Sequence, residues 1–153
     1  MRVLLVCMGN ICRSPLAEGL LRHHAARLGK PLATDSAGTY GGHSGEPADS
    51  RARAVAKAHG LSIDDLRARA LCRDDFYQFD HILVADDRNY RAVLAKKPAD
   101  SRAHIAYMLD SHPDVDSGKI PRELPDPYYG DDSDFEHVYA LLDTALAAWV
   151  ESA

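Results

Sequence analysis

The stretch that most constrains this chain lies at its start. A short apolar run, Arg2 to Cys7, is broken at once by Gly9-Asn10 and followed by Arg13-Ser14-Pro15. A run of this length bounded by turn residues reads as a fully buried strand. A helix is expected next, with Ser14 as its N-cap and Pro15 at its first position, where the missing N–H costs nothing. Ala17, Leu20, Leu21, His24 and Leu28 then recur at helical spacing, and Gly29 ends the run. His24 lies on the apolar face and reads as a core or boundary histidine. His23 and His24, adjacent on a helix, point apart and make a poor metal site.

The pattern repeats along the chain. Leu32–Ser36 reads as a second strand, and a glycine-rich loop follows over residues 38–45. Ser50–His59 reads as a helix closed by Gly60, and His81–Ala85 as a third strand. Asp86 or Asp87 is placed to cap a helix running to about Lys96, and Ala103–Leu109 reads as a fourth strand. A polar loop is expected over residues 110–132. In the last helix Ser133 and Glu136 have capping-box spacing, with Phe135, Val138, Leu142, Ala145 and Trp149 on one face. Strands alternating with helices imply an α/β fold: a three-layer, open, twisted, mostly parallel sheet of about four strands with helices on both faces.

The 153 residues suit one domain spanning 1–153, with 46% hydrophobic and 27% charged residues. A net charge of −5 without a block of like charges argues against nucleic acid or an acidic membrane surface as partner. Val3-Leu4-Leu5-Val6 is too short for a signal-peptide core, no stretch approaches a membrane span, and three cysteines are an odd number. Free thiols in the cytoplasm are therefore expected.

The chemistry concentrates in Cys7-Met8-Gly9-Asn10-Ile11-Cys12-Arg13-Ser14-Pro15. Ligands of open α/β sheets bind beyond the carboxyl ends of strands, often at a helix N-terminus. Residues 8 to 13 would wrap a loop with inward-pointing N–H groups, a nest for a tetrahedral oxyanion. Gly9 and Asn10 are best suited to the left-handed conformations of a tight nest. Arg13, six positions after Cys7, can return its guanidinium to face the sulfur and hold two phosphate oxygens at once. The same donors favour a thiolate at Cys7, to which the Ser14 hydroxyl can add a hydrogen bond.

Read together, these nine residues resemble the signature loop of the low-molecular-weight protein tyrosine phosphatases. The likeness continues through Asp35-Ser36-Ala37-Gly38-Thr39, Gly45-Glu46-Pro47, Phe79-Asp80-His81-Ile82-Leu83 and Pro125-Asp126-Pro127-Tyr128-Tyr129-Gly130 to Phe135-Glu136. It implies a flavodoxin-like phosphotyrosine phosphatase I fold. It also implies hydrolysis of phosphotyrosine, in a protein or as a small aryl phosphate, through a cysteinyl-phosphate. Cys7 would be the nucleophile, Arg13 the phosphate clamp and Asp126 the general acid and base, with no cofactor and no metal. Inorganic phosphate would be product and inhibitor. The resemblance alone singles out Asp126 within an acidic stretch.

Tyr128 and Tyr129 resemble the family's aromatic wall. Gly42 stands where the family often has an aromatic residue, and Ala85 where methionine is common. The wall opposite Tyr128 is thus either open or filled by Tyr40. The resemblance also suggests that Cys12 forms a reversible disulfide with an oxidised Cys7, while Cys72 is read as structural. Two rivals share the loop. A thiol-dependent arsenate reductase would need two further, closely spaced cysteines, but only Cys72 follows the loop. A non-catalytic phosphate-binding module would have no need of Cys7 or Asp126.

Overall fold

The computed structural model describes residues 1–153. Strand β1 (Arg2–Cys7) pairs in parallel with β2 (Ala33–Gly38) on one side and with β3 (His81–Val84) on the other. β3 pairs in parallel with β4 (His104–Tyr107), giving the order β2-β1-β3-β4. Parallel neighbours need crossovers. They are supplied by α1 (Arg13–Arg27), by α2 (Ser50–Ala58) with α3 (Asp75–Gln78), and by α4 (Asp87–Lys96); α5 (Pro113–Asp116) and α6 (Asp132–Ser152) complete the chain.

Side chains alternate across a strand, and β1 is covered on both faces. Val3, Leu5 and Cys7 enter a core with Leu16 and Leu20 of α1, Val55 of α2, and Phe135 and Leu142 of α6. Leu4 and Val6 enter a second core with Phe79, Phe76 of α3 and Val93 of α4. This double coverage explains why the first strand reads as an unbroken apolar run. It is also the expected layering, one sheet between two sets of helices. His24 is buried at the helix interface, with its Nε2 2.7 Å from Asp143 of α6.

Several boundaries differ from the sequence reading, each for a local reason. α1 begins at Arg13 with Cys12 as N-cap and no capping side chain, because the Ser14 hydroxyl is engaged at Cys7 instead. Pro15 therefore sits third in the helix, still among the positions whose N–H has no intrahelical partner. α6 starts two residues earlier than expected. The Asp131 carboxylate accepts from the amides of Ser133 and Asp134, and the Asp134 carboxylate accepts from the Asp131 amide, so the capping box forms on this pair. β2 is shifted to Ala33–Gly38, and β4 is trimmed to His104–Tyr107. The segment 110–132 holds α5, which, like α3, spans four residues.

The chain leaves β1 for β2 on one side, then crosses to β3 on the other. Such a reversal opens a crevice at the carboxyl ends of the two central strands. Cys7 ends β1, and Asp86 caps α4 just beyond β3.

Candidate active site

Residues 8 to 12 link β1 to α1, directly after Cys7. Asn10 alone in the loop is left-handed, with φ of 59°. Gly9, expected to share that role, has no positive φ. Glycine leaves room there, since a Cβ would stand 3.1 Å from the His43 ring, which would have to give by a few tenths of an ångström. Gly38 serves a similar end, because a Cβ there would lie 2.7 Å from the Met8 carbonyl oxygen. That closeness lets the chain pair on beyond β1, through bonds of 3.0 Å from the Thr39 amide to the Cys7 carbonyl and 2.9 Å from the Tyr40 amide to Met8.

Beneath the loop runs a buried polar chain. The Asn10 side-chain amide donates to the hydroxyls of Ser14 at 2.7 Å and Ser36 at 3.0 Å, while its oxygen accepts the Arg69 amide at 3.0 Å. The Ser14 hydroxyl, already accepting from Asn10, lies 3.0 Å from the Cys7 sulfur and has its own hydrogen to donate there. Arg69 is itself anchored between Asp35 and Asp75, at 3.0 and 2.9 Å. Asn10→Gly keeps the left-handed backbone and removes all these side-chain bonds. The expected loss is about 1–3 kcal/mol of unfolding free energy, measured by chemical denaturation.

The backbone N–H groups of residues 8 to 14 donate to no acceptor within the protein. Buried amides are nearly always paired, so a row of unpaired donors at a helix N-terminus suits an anion. Arg13 is buried, and its Nη1 donates to Asp86 at 2.8 Å and to the Leu124 carbonyl at 2.9 Å. Nε and Nη2 donate to no protein acceptor; Nη2 lies 3.8 Å from Asp126. Burial disfavours its charge, but Cys7 and Asp86 outweigh this and raise its pKa above the usual arginine value. Burial, then the charges of Asp49 and Cys7, push the Cys12 thiol well up, so it stays protonated at neutral pH.

Asp126 is brought to the same cavity, its Oδ1 accepting the Tyr128 amide at 3.1 Å. The segment is fixed at one end by Leu124, whose amide donates to Ala85 at 2.9 Å. Arg51 fixes the other end, donating to the carbonyls of Tyr128 at 2.9 Å and Gly130 at 3.1 Å while paired with Asp49. The resulting cavity, of about 230 Å³, is lined by Cys7, Met8, Gly9, Ile11, Cys12, Arg13, Tyr40, His43, Asp126, Tyr128 and Tyr129. Asn10 and Ser14 do not line it; their side chains brace the floor. Sequence reading missed Asp86 as the partner of Arg13, and also Arg51 and Arg69. A signal existed for Asp86, which follows the carboxyl end of the strand across the switch point from Cys7.

Fold and site together define an α/β protein of the cysteine-and-arginine loop class, with Cys7 and Arg13 lining one pocket. The family model described as low molecular weight phosphotyrosine protein phosphatase matches residues 2–153. The human low molecular weight phosphotyrosine protein phosphatase is 37% identical, over 99% of this chain and 94% of that one. Low molecular weight protein-tyrosine phosphatase A of Mycobacterium tuberculosis is 40% identical, over 99% of this chain and 92% of its own. Among solved structures, a protein tyrosine phosphatase from Entamoeba histolytica superposes with a TM-score of 0.92 at 35% identity, covering 99% and 96% of the two chains. YfkJ from Bacillus subtilis superposes with a TM-score of 0.88 at 35% identity, covering 99% and 93%. The chain belongs to the low molecular weight phosphotyrosine protein phosphatase family.

Proposed function

We propose that this protein tyrosine phosphatase hydrolyses phosphotyrosine and other aryl phosphate monoesters through a phosphorylated Cys7. In the first step the sulfur attacks phosphorus, an S–P bond forms as the P–O bond to the phenol breaks, and Asp126 gives its proton to the departing oxygen. In the second, the Asp126 carboxylate takes a proton from water as that water attacks phosphorus. The S–P bond breaks, releasing inorganic phosphate and restoring the thiolate and the protonated acid.

Arg13 offers Nε and Nη2 to two of the equatorial oxygens, and the loop amides receive the rest of the charge. Tyr128 and Tyr129 flank the leaving ring. The observation that carries this reading is the Cys7 sulfur at 3.0 Å from the Ser14 hydroxyl, at the start of a loop whose amides donate to nothing in the protein. Phosphate, as product, fits the same donors and acts as a competitive inhibitor. The mechanism needs neither a metal ion nor an organic cofactor.

Cys12, lining the same cavity, is the thiol that would condense with a Cys7 sulfenic acid, the S–S bond forming as water leaves. The three free cysteines suit a reducing, cytoplasmic setting, and no helix is long and apolar enough to cross a membrane. The chain acts as one domain. An arsenate-reducing relay is disfavoured, since Cys72 is the only cysteine outside the loop.

The purified protein is expected to hydrolyse an aryl phosphate at an unchanged rate in excess EDTA, with competitive inhibition by inorganic phosphate. Activity that disappears with the chelator and returns with a divalent metal would contradict the mechanism.

A further inference from the structure

The cavity has a second aromatic side. The Tyr40 amide is tied to the Met8 carbonyl at 2.9 Å, which fixes the Tyr40 backbone beside the phosphate-receiving loop. Its ring is more than half exposed, its hydroxyl bonds to no protein group, and it lines the cavity that holds Cys7 and Tyr128. The ring meets His43 edge-on, with centroids 6.0 Å apart and planes at 83°.

The ring also lies directly on the backbone of Gly42. A Cβ built at residue 42 would stand 2.1 Å from Cζ and Oη of Tyr40 and 2.3 Å from Cε2. No side chain fits there while the ring holds this position. His43 is in turn paired with Glu46 and packed on Gly9, so Tyr40 rests on one firm neighbour and one bare stretch of backbone. Exposed aromatic area lining the cavity that also holds Cys7 and Tyr128 suits contact with a planar ring.

We infer that Tyr40, admitted by the absence of a side chain at Gly42, is the specificity-determining wall that grips the substrate's aromatic ring and selects aryl over compact phosphates. The inference rests on the proposed phosphatase reading for its substrate class. It concerns binding of the ring, not the chemistry at phosphorus.

The test measures binding and so does not depend on turnover. Affinities for benzylphosphonate and for inorganic phosphate are determined by calorimetry on wild type, Tyr40→Ala, Tyr40→Phe, Gly42→Ala and the double variant Tyr40→Ala/Gly42→Ala. Tyr40→Ala and Gly42→Ala should each weaken benzylphosphonate by about 2- to 10-fold, the value of one aromatic contact. Phosphate affinity should stay within about twofold throughout, which also reports an intact loop, and Tyr40→Phe should match wild type.

The two changes act through one ring, so Gly42→Ala should add nothing in the Tyr40→Ala background. Unchanged benzylphosphonate binding by Tyr40→Ala overturns the inference. So does an undiminished effect of Gly42→Ala when Tyr40 is already alanine. Failure of the phosphatase reading would instead leave these affinities as expected with no aryl phosphate turned over by wild type.

Discussion

Cys7→Ser is expected to reduce aryl phosphate turnover by roughly 10⁴- to 10⁶-fold, the scale of losing a covalent nucleophile. The replacement keeps the size and polarity of the side chain, and leaves the loop amides and Arg13 in place. What it removes is the sulfur, the atom the proposed mechanism uses to attack phosphorus. A serine hydroxyl there has no base bonded to it: the one side-chain hydrogen-bond partner at this position is Ser14, whose oxygen already accepts from Asn10. Phosphate binding should survive, because its donors do not include the sulfur. Retention of turnover within about tenfold of wild type would mean that water attacks phosphorus directly, and the two-step mechanism would fail.

Asp126→Ala should lower turnover by about 10²- to 10⁴-fold, the usual contribution of a positioned general acid. In the first step, read as the rate of phenol release within one turnover, the loss should grow with the basicity of the leaving group, since a good leaving group departs without a proton. Affinity for phosphate should not fall. The carboxylate lies 3.8 Å from Arg13 and competes with any oxyanion for that guanidinium. A variant in which the phenol-releasing step slowed equally for good and poor leaving groups would assign Asp126 a purely structural part in that step, bonding the Tyr128 amide.

Much of this was legible in the sequence because it is local. The continuous apolar run of β1 signals burial on two faces, and C-x5-R fixes how far a loop can travel before its arginine returns. Caps were harder. Within Asp131-Asp132-Ser133-Asp134 every residue can cap, and only the backbone decides that Asp131 and Asp134 form the box. Ser14 had two competing uses, and the sulfur won it from the helix end.

What sequence could not reveal are pairings between distant segments. Arg13 meets Asp86 across the switch point, Arg51 holds the loop of Asp126 through two backbone carbonyls, and Arg69 steadies Asn10 through its own amide. None of these leaves a spacing pattern. Tyr40 falls between the two cases. The missing aromatic at Gly42 raised the question, but only the ring's position on that backbone favours one answer.

The most direct test of the central claim is to mix Asp126→Ala with an aryl phosphate of an acidic phenol, which departs without a proton, carrying a labelled phosphorus atom, quench in acid within one turnover, and map the label. The mechanism predicts stoichiometric label on Cys7, because removing Asp126 slows water's attack on the S–P bond. A burst of phenol with no label on the protein, or label on any other side chain, would contradict it.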